Sequence, residues 1–228
     1  MAMPVRPRAS ALLYAIGDIH GSLQKLRDLI ARCERHAGGR PATFVFLGDY
    51  VDRGPDSCGV IDAVMDMQSR LRGRVIALKG NHEAVTIEVA EGKTAAEPWL
   101  GEGGAATLRS YGVSSARELP NAHLAWLRSL PLRYDDGRRF FVHAGIDPEK
   151  PLNAQSDHDL LWIREPFLSD TRDHGRLIVH GHTPQKTGVP DLRRNRLNVD
   201  TGAVFGGPLT AAAFAGASRD PVGFLQAD

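Results

Sequence analysis

Five short, continuously apolar runs punctuate the chain, and each stops at a polar cluster. Leu12-Leu13-Tyr14-Ala15-Ile16 is closed by Gly17-Asp18-Ile19-His20-Gly21. Thr43–Leu47 is closed by Gly48-Asp49-Tyr50-Val51-Asp52-Arg53-Gly54, and Val75–Leu78 by Gly80-Asn81-His82-Glu83. Phe140–Val142 ends at His143-Ala144-Gly145, and Leu177–Val179 at His180-Gly181-His182-Thr183. Short apolar runs without alternation are the pattern of strands buried on both faces of a parallel sheet. Between the first runs the period becomes helical. After Ser22, a candidate N-cap, Leu23, Leu26, Leu29, Ile30 and Cys33 share one face, and Gly38-Gly39 ends the helix. Ile61, Val64, Met65 and Gln68 carry a second helix, and a third pattern follows Glu83. Three strand–loop–helix units before residue 92 predict a βαβ architecture with a mostly parallel sheet.

Residues 92–132 break this rhythm. Gly101-Glu102-Gly103-Gly104 alternates with short helical patterns at Ala105–Tyr111 and His123–Leu130, which predicts a helical, cap-like insertion within one domain spanning 1–228. Leu197–Asp200 and Leu209–Phe214 read as late strands that could pair antiparallel, separated by the glycine-rich turn Gly202–Gly207. Residues 1–10, with two prolines and two arginines, read as a loose start.

Composition narrows the class. A chain of 228 residues with 42% apolar content can bury a sizeable core. Lysine plus arginine is 28 against 27 acids, a net charge of +1, which gives no footprint for nucleic acid or an anionic membrane. The apolar run Ala11–Ile16 is too short for a secretory h-region, and no stretch is long enough to span a membrane. Cys33 and Cys58 form no metal-like or redox-like pair, so they read as reduced thiols in a cytoplasmic protein. No heptad or exposed apolar stripe specifies an oligomer.

A single Asp or His at a strand end is an ordinary turn or cap residue. Five such clusters at successive strand ends are another matter, because the loops at the carboxyl ends of parallel strands form one crevice. Asp, His and Asn without Cys suit Mn²⁺, Fe or Zn²⁺ better than Ca²⁺ or a thiolate zinc site. A central carboxylate, Asp49, can bridge two ions about 3.5–4 Å apart, the spacing used in phosphoester hydrolysis. Arg53 then suits phosphate oxygens. His82, beside Asn81, is placed to protonate a leaving oxygen with Asp52 orienting it. His36, His123, His158 and His174 lack a strand-end setting and read as surface or capping residues. Trp99, Trp126 and Trp162 read as packing.

The set Gly-Asp-Ile-His-Gly, Gly-Asp-Tyr-Val-Asp-Arg-Gly and Gly-Asn-His-Glu, completed in order by His143-Ala144-Gly145 and Gly181-His182-Thr183, resembles the signature of the calcineurin-like metallophosphoesterases, nearest to bacterial and phage serine/threonine phosphoprotein phosphatases. The resemblance covers roughly residues 12–215 and implies a four-layer α/β/β/α sandwich with two sheets rather than one. It implies that Asp18, His20 and Asp49 hold one metal and that Asp49, Asn81, His143 and His182 hold the other. It further implies that His82 is the general acid paired with Asp52, and that Arg53 and Arg164 bind phosphate. Pro184 stands where many members have the last His of Gly-His-x-His, as in the phosphoprotein phosphatase branch. His180 lies two residues before His182, on the same strand face if the strand continues, which would bring it near the metal.

The resulting expectation is a metal-dependent phosphomonoesterase acting on phosphoserine or phosphothreonine in proteins or on a small phosphoester, with Mn²⁺ the first choice of metal. A symmetrical diadenosine tetraphosphate hydrolase is the alternative on the same fold. A cyclic-nucleotide phosphodiesterase fits less well without the Gly-His-x-His ending. The complete ligand set argues against a non-catalytic phosphate-binding scaffold.

Overall fold

The computed structural model describes residues 11–228, so the loose start expected over residues 1–10 lies outside the described residues. Strands β1 (Leu12–Ile16), β2 (Ala42–Phe46) and β3 (Val75–Ala77) are parallel neighbours, joined by helices α1 (Leu23–Ala37) and α2 (Ser57–Arg70). Ser22 occupies the N-cap position of α1 but makes no side-chain cap bond, whereas Gly38 closes the helix in the left-handed region as expected. Helix α3 (Asn81–Ala90) begins within the third motif. The segment that follows holds short helices: α4 (Ala96–Trp99), which runs on to a kink at Gly103 (φ 119°), α5 (Ala105–Tyr111) and α6 (Asn121–Ser129), joined by turns.

A second sheet contains β4 (Arg133–Asp135), β5 (Arg139–Val142), β6 (Leu177–His180), β7 (Asp191–Leu192) and β8 (Arg196–Asn198), in the order β4-β5-β6-β8-β7. Helix α7 (Asp157–Trp162) lies between β5 and β6 in sequence. The chain then returns to the first sheet with β9 (Leu209–Ala215) and β10 (Gly223–Ala227), giving the order β10-β9-β1-β2-β3. Of the two late strands, β9 is antiparallel to β1 and β10, while β8 is antiparallel to β7 and parallel to β6; the two lie in different sheets and do not pair with each other. Strands β4, β7 and β10 are too short or too polar to have stood out as apolar runs.

The alternation along β1 shows why one sheet does not suffice. Leu12, Tyr14 and Ile16 face the core shared with Leu26, Leu29 and Val64 of α1 and α2. Leu13 and Ala15 face the opposite way, into a core with Val45, Phe141, Val179 and Phe214 from both sheets. In the second sheet Phe140 and Val142 turn outward again, against Leu160 of α7 and Phe167. Each sheet is therefore buried on both faces, and a fully buried Leu, Ile or Phe contributes roughly 1.5–3 kcal/mol. The outer layer over the second sheet is thin, with one short helix and a loop. The four-layer α/β/β/α order implied by the family resemblance is the one observed.

Register aligns the strand ends. Ile16 pairs with Phe46, and Phe141 with Val179, so the loops after β1 and β2, and those after β5 and β6, leave side by side. The closest approach is at Gly54, where a Cβ would lie 1.8 Å from the His20 carbonyl oxygen. Gly54→Ala must push the first two motif loops apart. It is expected to lower unfolding free energy by about 1–3 kcal/mol, read as a shift of the urea midpoint without a change of slope.

Candidate metal centre

The two sheets converge on one cluster of strand-end side chains. Among the described residues, the non-glycine positions with positive φ are His20, Asp49, Asp52, Arg53 and His182, and all five are candidates from the motifs. Such conformations cost on the order of 1–3 kcal/mol each and persist where surrounding structure enforces them. His182 follows the end of β6 with φ of 65°, so the strand does not continue past His180. That turn separates the two histidines. His180 packs edge-on against Phe167, its Nδ1 bonds to the Gly181 carbonyl, and it joins neither metal-competent group, contrary to the same-face expectation.

Two groups of potential donors share Asp49: His20–Asp49–His82 and Asp49–His143–His182, with donor atoms within 4.8 Å of one another in each. The Asp49 carboxylate splits between them, Oδ2 lying 3.3 Å from His20 Nε2 and Oδ1 3.5 Å from His143 Nε2. Backbone carbonyls set the tautomers. His20 Nδ1 donates to Val51 O at 2.8 Å and His143 Nδ1 to Leu47 O at 2.9 Å, leaving each Nε2 with its lone pair toward the cluster. Burial lowers the proton affinity of all three outer imidazoles, His20 and His182 to a pKa of about 3, so they are neutral as ligands must be. Asn81 Oδ1 faces His143 Nε2 at 2.8 Å and His182 Nδ1 at 3.0 Å. Acceptors converging in this way are satisfied by a cation between them. The donor set therefore fits the divalent ions implied by the motifs.

Asp18 lies outside both groups. Its carboxylate accepts from the His182 backbone N–H at 3.1 Å and also meets Asp200. Burial, Asp200 and Asp49 raise the Asp18 carboxyl well above its ordinary range. Burial also pushes Asp200 up to about 7. This excess of buried acid is a second feature that a cation would relieve. His82 behaves oppositely to its neighbours. Burial lowers its pKa, but the Asp49 charge and the hydrogen bond to Asp52 outweigh it, and the net shift is upward. Its Nδ1 donates to Asp52 Oδ2 at 2.7 Å, leaving Nε2 for the site.

A family model described as calcineurin-like phosphoesterase matches residues 12–207. The chain belongs to the calcineurin-like phosphoesterase family. The phosphoesterase is 28% identical to serine/threonine-protein phosphatase 1 of Salmonella typhimurium, over 88% of this chain and 90% of that protein. It is 30% identical to the asymmetrical bis(5'-nucleosyl)-tetraphosphatase PrpE of Anoxybacillus flavithermus, over 87% of this chain and 89% of that protein. A solved structure provisionally described as a diadenosine tetraphosphatase superposes with a TM-score of 0.70 at 22% identity, over 96% of this chain and 99% of the other, a likeness of fold.

A cleft of about 540 Å³ opens over the phosphoesterase's cluster, lined by Arg53, His82, Trp162, Arg164, His182 and Phe205 among others. Arg164 thus shares the cleft with Arg53, though it comes from the loop after α7. Arg53 Nη1 donates to His20 Nε2 at 2.7 Å, and its guanidinium sits 5.6 Å from the Phe205 ring centre. Trp162 is 41% exposed and Phe205 64% exposed, so Trp162 is a rim residue rather than packing, and the glycine-rich turn at 202–207 lines the site through Phe205. The Gly-His-x-His departure is visible too, since Pro184 forms part of the cleft wall. Two buried contributors escaped the sequence reading. Asp200 sits at the end of a short strand with no motif. Glu83 belongs to a motif, but nothing in sequence says what it holds: Oε2 accepts from Gly80 N and Asp49 N, and Oε1 from Tyr50 N and Val51 N, at 2.8–3.2 Å.

Glu83→Gln leaves one acceptor oxygen for four N–H donors. It is expected to cost roughly 2–4 kcal/mol in stability. Mn²⁺ binding should weaken by roughly 10–100-fold, measured by calorimetry.

Proposed function

We propose that this phosphoesterase hydrolyses phosphomonoesters by direct attack of water on phosphorus, with protein phosphoserine and phosphothreonine as its substrates. The observation that carries the reading is the 2.7 Å pair of His82 and Asp52 at the edge of the metal-competent cluster. A general acid is needed where the leaving group is a poor one, such as the alkoxide of a serine or threonine. Departure of a nucleoside phosphate from an anhydride needs no such proton.

In this reading Asp49 bridges two sites, with Asp18 and His20 on one side and Asn81, His143 and His182 on the other. Two divalent ions bound by these residues, Mn²⁺ by preference with Fe or Zn²⁺ as alternatives for an oxygen and imidazole donor set, would supply charge neutralisation and lower the pKa of a water toward neutrality. Arg53 leaves His20 Nε2 and turns its planar fork to the phosphate oxygens, with Arg164 as the second cation. His82 delivers its proton to the leaving oxygen, and Asp52 holds the imidazole in the donating tautomer. The free thiols Cys33 and Cys58 support a cytoplasmic location. Among the described residues, no helix is long and apolar enough to cross a membrane.

A second reading, dinucleoside tetraphosphate hydrolysis, is favoured by the exposed rings of Trp162 and Phe205 on the cleft rim, where a base could stack. The activity printed for the relative from Anoxybacillus flavithermus supports it. Phosphopeptides, diadenosine tetraphosphate and free nucleotides compared on the Mn²⁺ enzyme separate the two. A kcat/KM highest for phosphopeptides is expected, and a higher value for diadenosine tetraphosphate would replace the first reading with the second.

Activity toward p-nitrophenyl phosphate should vanish with chelator and return with Mn²⁺, and Asp49→Asn should abolish it; a near-normal rate in either case would sink the dinuclear assignment. His82→Asn should lower kcat by roughly 10²–10⁴ on poor leaving groups and by less on activated ones. Equal losses on both would argue against proton donation.

A further inference from the structure

The helical segment between α3 and β4 holds the acid's partner from behind. Trp99, at the end of α4, donates through Nε1 to Asp52 Oδ2 at 3.0 Å, the same oxygen that receives the proton of His82 Nδ1. Thr107, on α5, donates through Oγ1 to Asp52 Oδ1 at 2.6 Å and accepts from Asp52 N at 2.9 Å. Between them, Gly103 O accepts from Arg53 N at 3.1 Å. Asp52 is fully buried, and no other side chain outside this set and His82 donates to its carboxylate among the described residues.

The local sequence is fitted to this task. In Trp99-Leu100-Gly101-Glu102-Gly103-Gly104-Ala105-Ala106-Thr107, the kink at Gly103 (φ 119°) brings the indole and the hydroxyl to opposite oxygens of one carboxylate. A Cβ on Gly104 would lie 2.2 Å from the indole, and one on Gly103 would lie 2.6 Å from Arg53 N. Only glycines allow the turn to pass between Trp99 and the Asp52–Arg53 loop. Trp99 is itself fixed by packing with Val89, Ala116, Leu119 and Leu124.

We propose that Trp99 and Thr107 are positioning residues for the general acid. A carboxylate turns easily about its last bond, since that torsion is broad and two-fold. Two donors on different oxygens remove the freedom and keep Oδ2 on His82, as locked supporting contacts do for a reacting group. The segment is in this sense a strut for the Asp52–His82 pair as well as a wall of the cleft. The inference rests on the reading of His82 as proton donor.

The test uses the Mn²⁺-loaded full chain with aryl phosphates of poor and activated leaving groups. Trp99→Phe keeps the ring and loses the N–H; Thr107→Val keeps the volume and loses the hydroxyl; Thr107→Ser restores it. Trp99→Phe and Thr107→Val are expected to lower kcat roughly tenfold on the poor leaving group and less on the activated one, a part of the roughly 10²–10⁴-fold that a general acid supplies. KM and calorimetric Mn²⁺ affinity should be unchanged, and Thr107→Ser should recover the rate. In an Asp52→Asn background, the same two substitutions should add less than about twofold, because their effect passes through Asp52. Additive losses in that background, equal losses on both leaving groups, or no recovery in Thr107→Ser would overturn the assignment. His82→Asn separates the two ideas. If it shows leaving-group dependence and the Trp99 and Thr107 variants do not, only the positioning role falls. If it shows none, the acid and its positioning fall together.

Discussion

The centre depends on one buried carboxylate that belongs to neither candidate donor group. Glu83, in the first turn of α3, is fully buried and accepts four backbone N–H groups. Three come from the loop after β2 and one from the loop after β3. Charge-assisted bonds of this kind are the strong ones, and four on one group fix two loops in register. Burial and the Asp49 charge push the carboxyl up to about 7, while the donors from Gly80, Asp49 and Tyr50 pull against that rise. Asp49 is held in the left-handed region by this grip, and Asn81 starts its helix beside it. Asp49, shared by the two candidate donor groups, and Asn81 beside it are thereby set by a single side chain.

Strain and candidate chemistry coincide at five positions of the site, His20, Asp49, Asp52, Arg53 and His182. The left-handed residues are those at which a strand must turn sharply and present a side chain to the cluster. A cooperative core of two double-sided sheets holds these turns in place, so the cost of each is spread over many contacts rather than met locally. The same sharp turn at His182 explains why His180, two residues earlier, is packing. A rule for strand faces ends where the strand ends.

Relatives of similar identity bear the names of different activities, a protein phosphatase and a tetraphosphatase, and both align over most of this chain. Metal activation of water and the capture of phosphate serve either reaction. Discrimination must lie above the metals, in the height of the rim and in what meets the leaving group. Here the rim carries two exposed aromatic rings, two arginines and Glu102, and the His82–Asp52 pair beside it is braced by Trp99 and Thr107. The helical segment contributes to both, lining the cleft with Trp99 and Glu102 and reaching Asp52 with Trp99 and Thr107.

The strands and motif loops were legible in the sequence because buried parallel strands leave uninterrupted apolar runs and because a turn at each end needs Gly, Asp, Asn or His. The ten candidate residues were legible for the same reason, each lying at or just beyond such an end except Arg164. Local pattern could not show that the runs divide between two sheets, since an apolar residue reads alike whichever layer it faces. Nor could it reveal Glu83 as a clamp on the loop 32 to 34 residues before it, Asp200 beside Asp18, or Trp99 and Thr107 behind Asp52, 47 and 55 residues away, because these partners meet only after the strands have paired. Sequence alone determined the donors and their order along the chain. Tertiary structure decided which of them meet, because hydrogen bonds between distant residues depend on packing that no local period encodes.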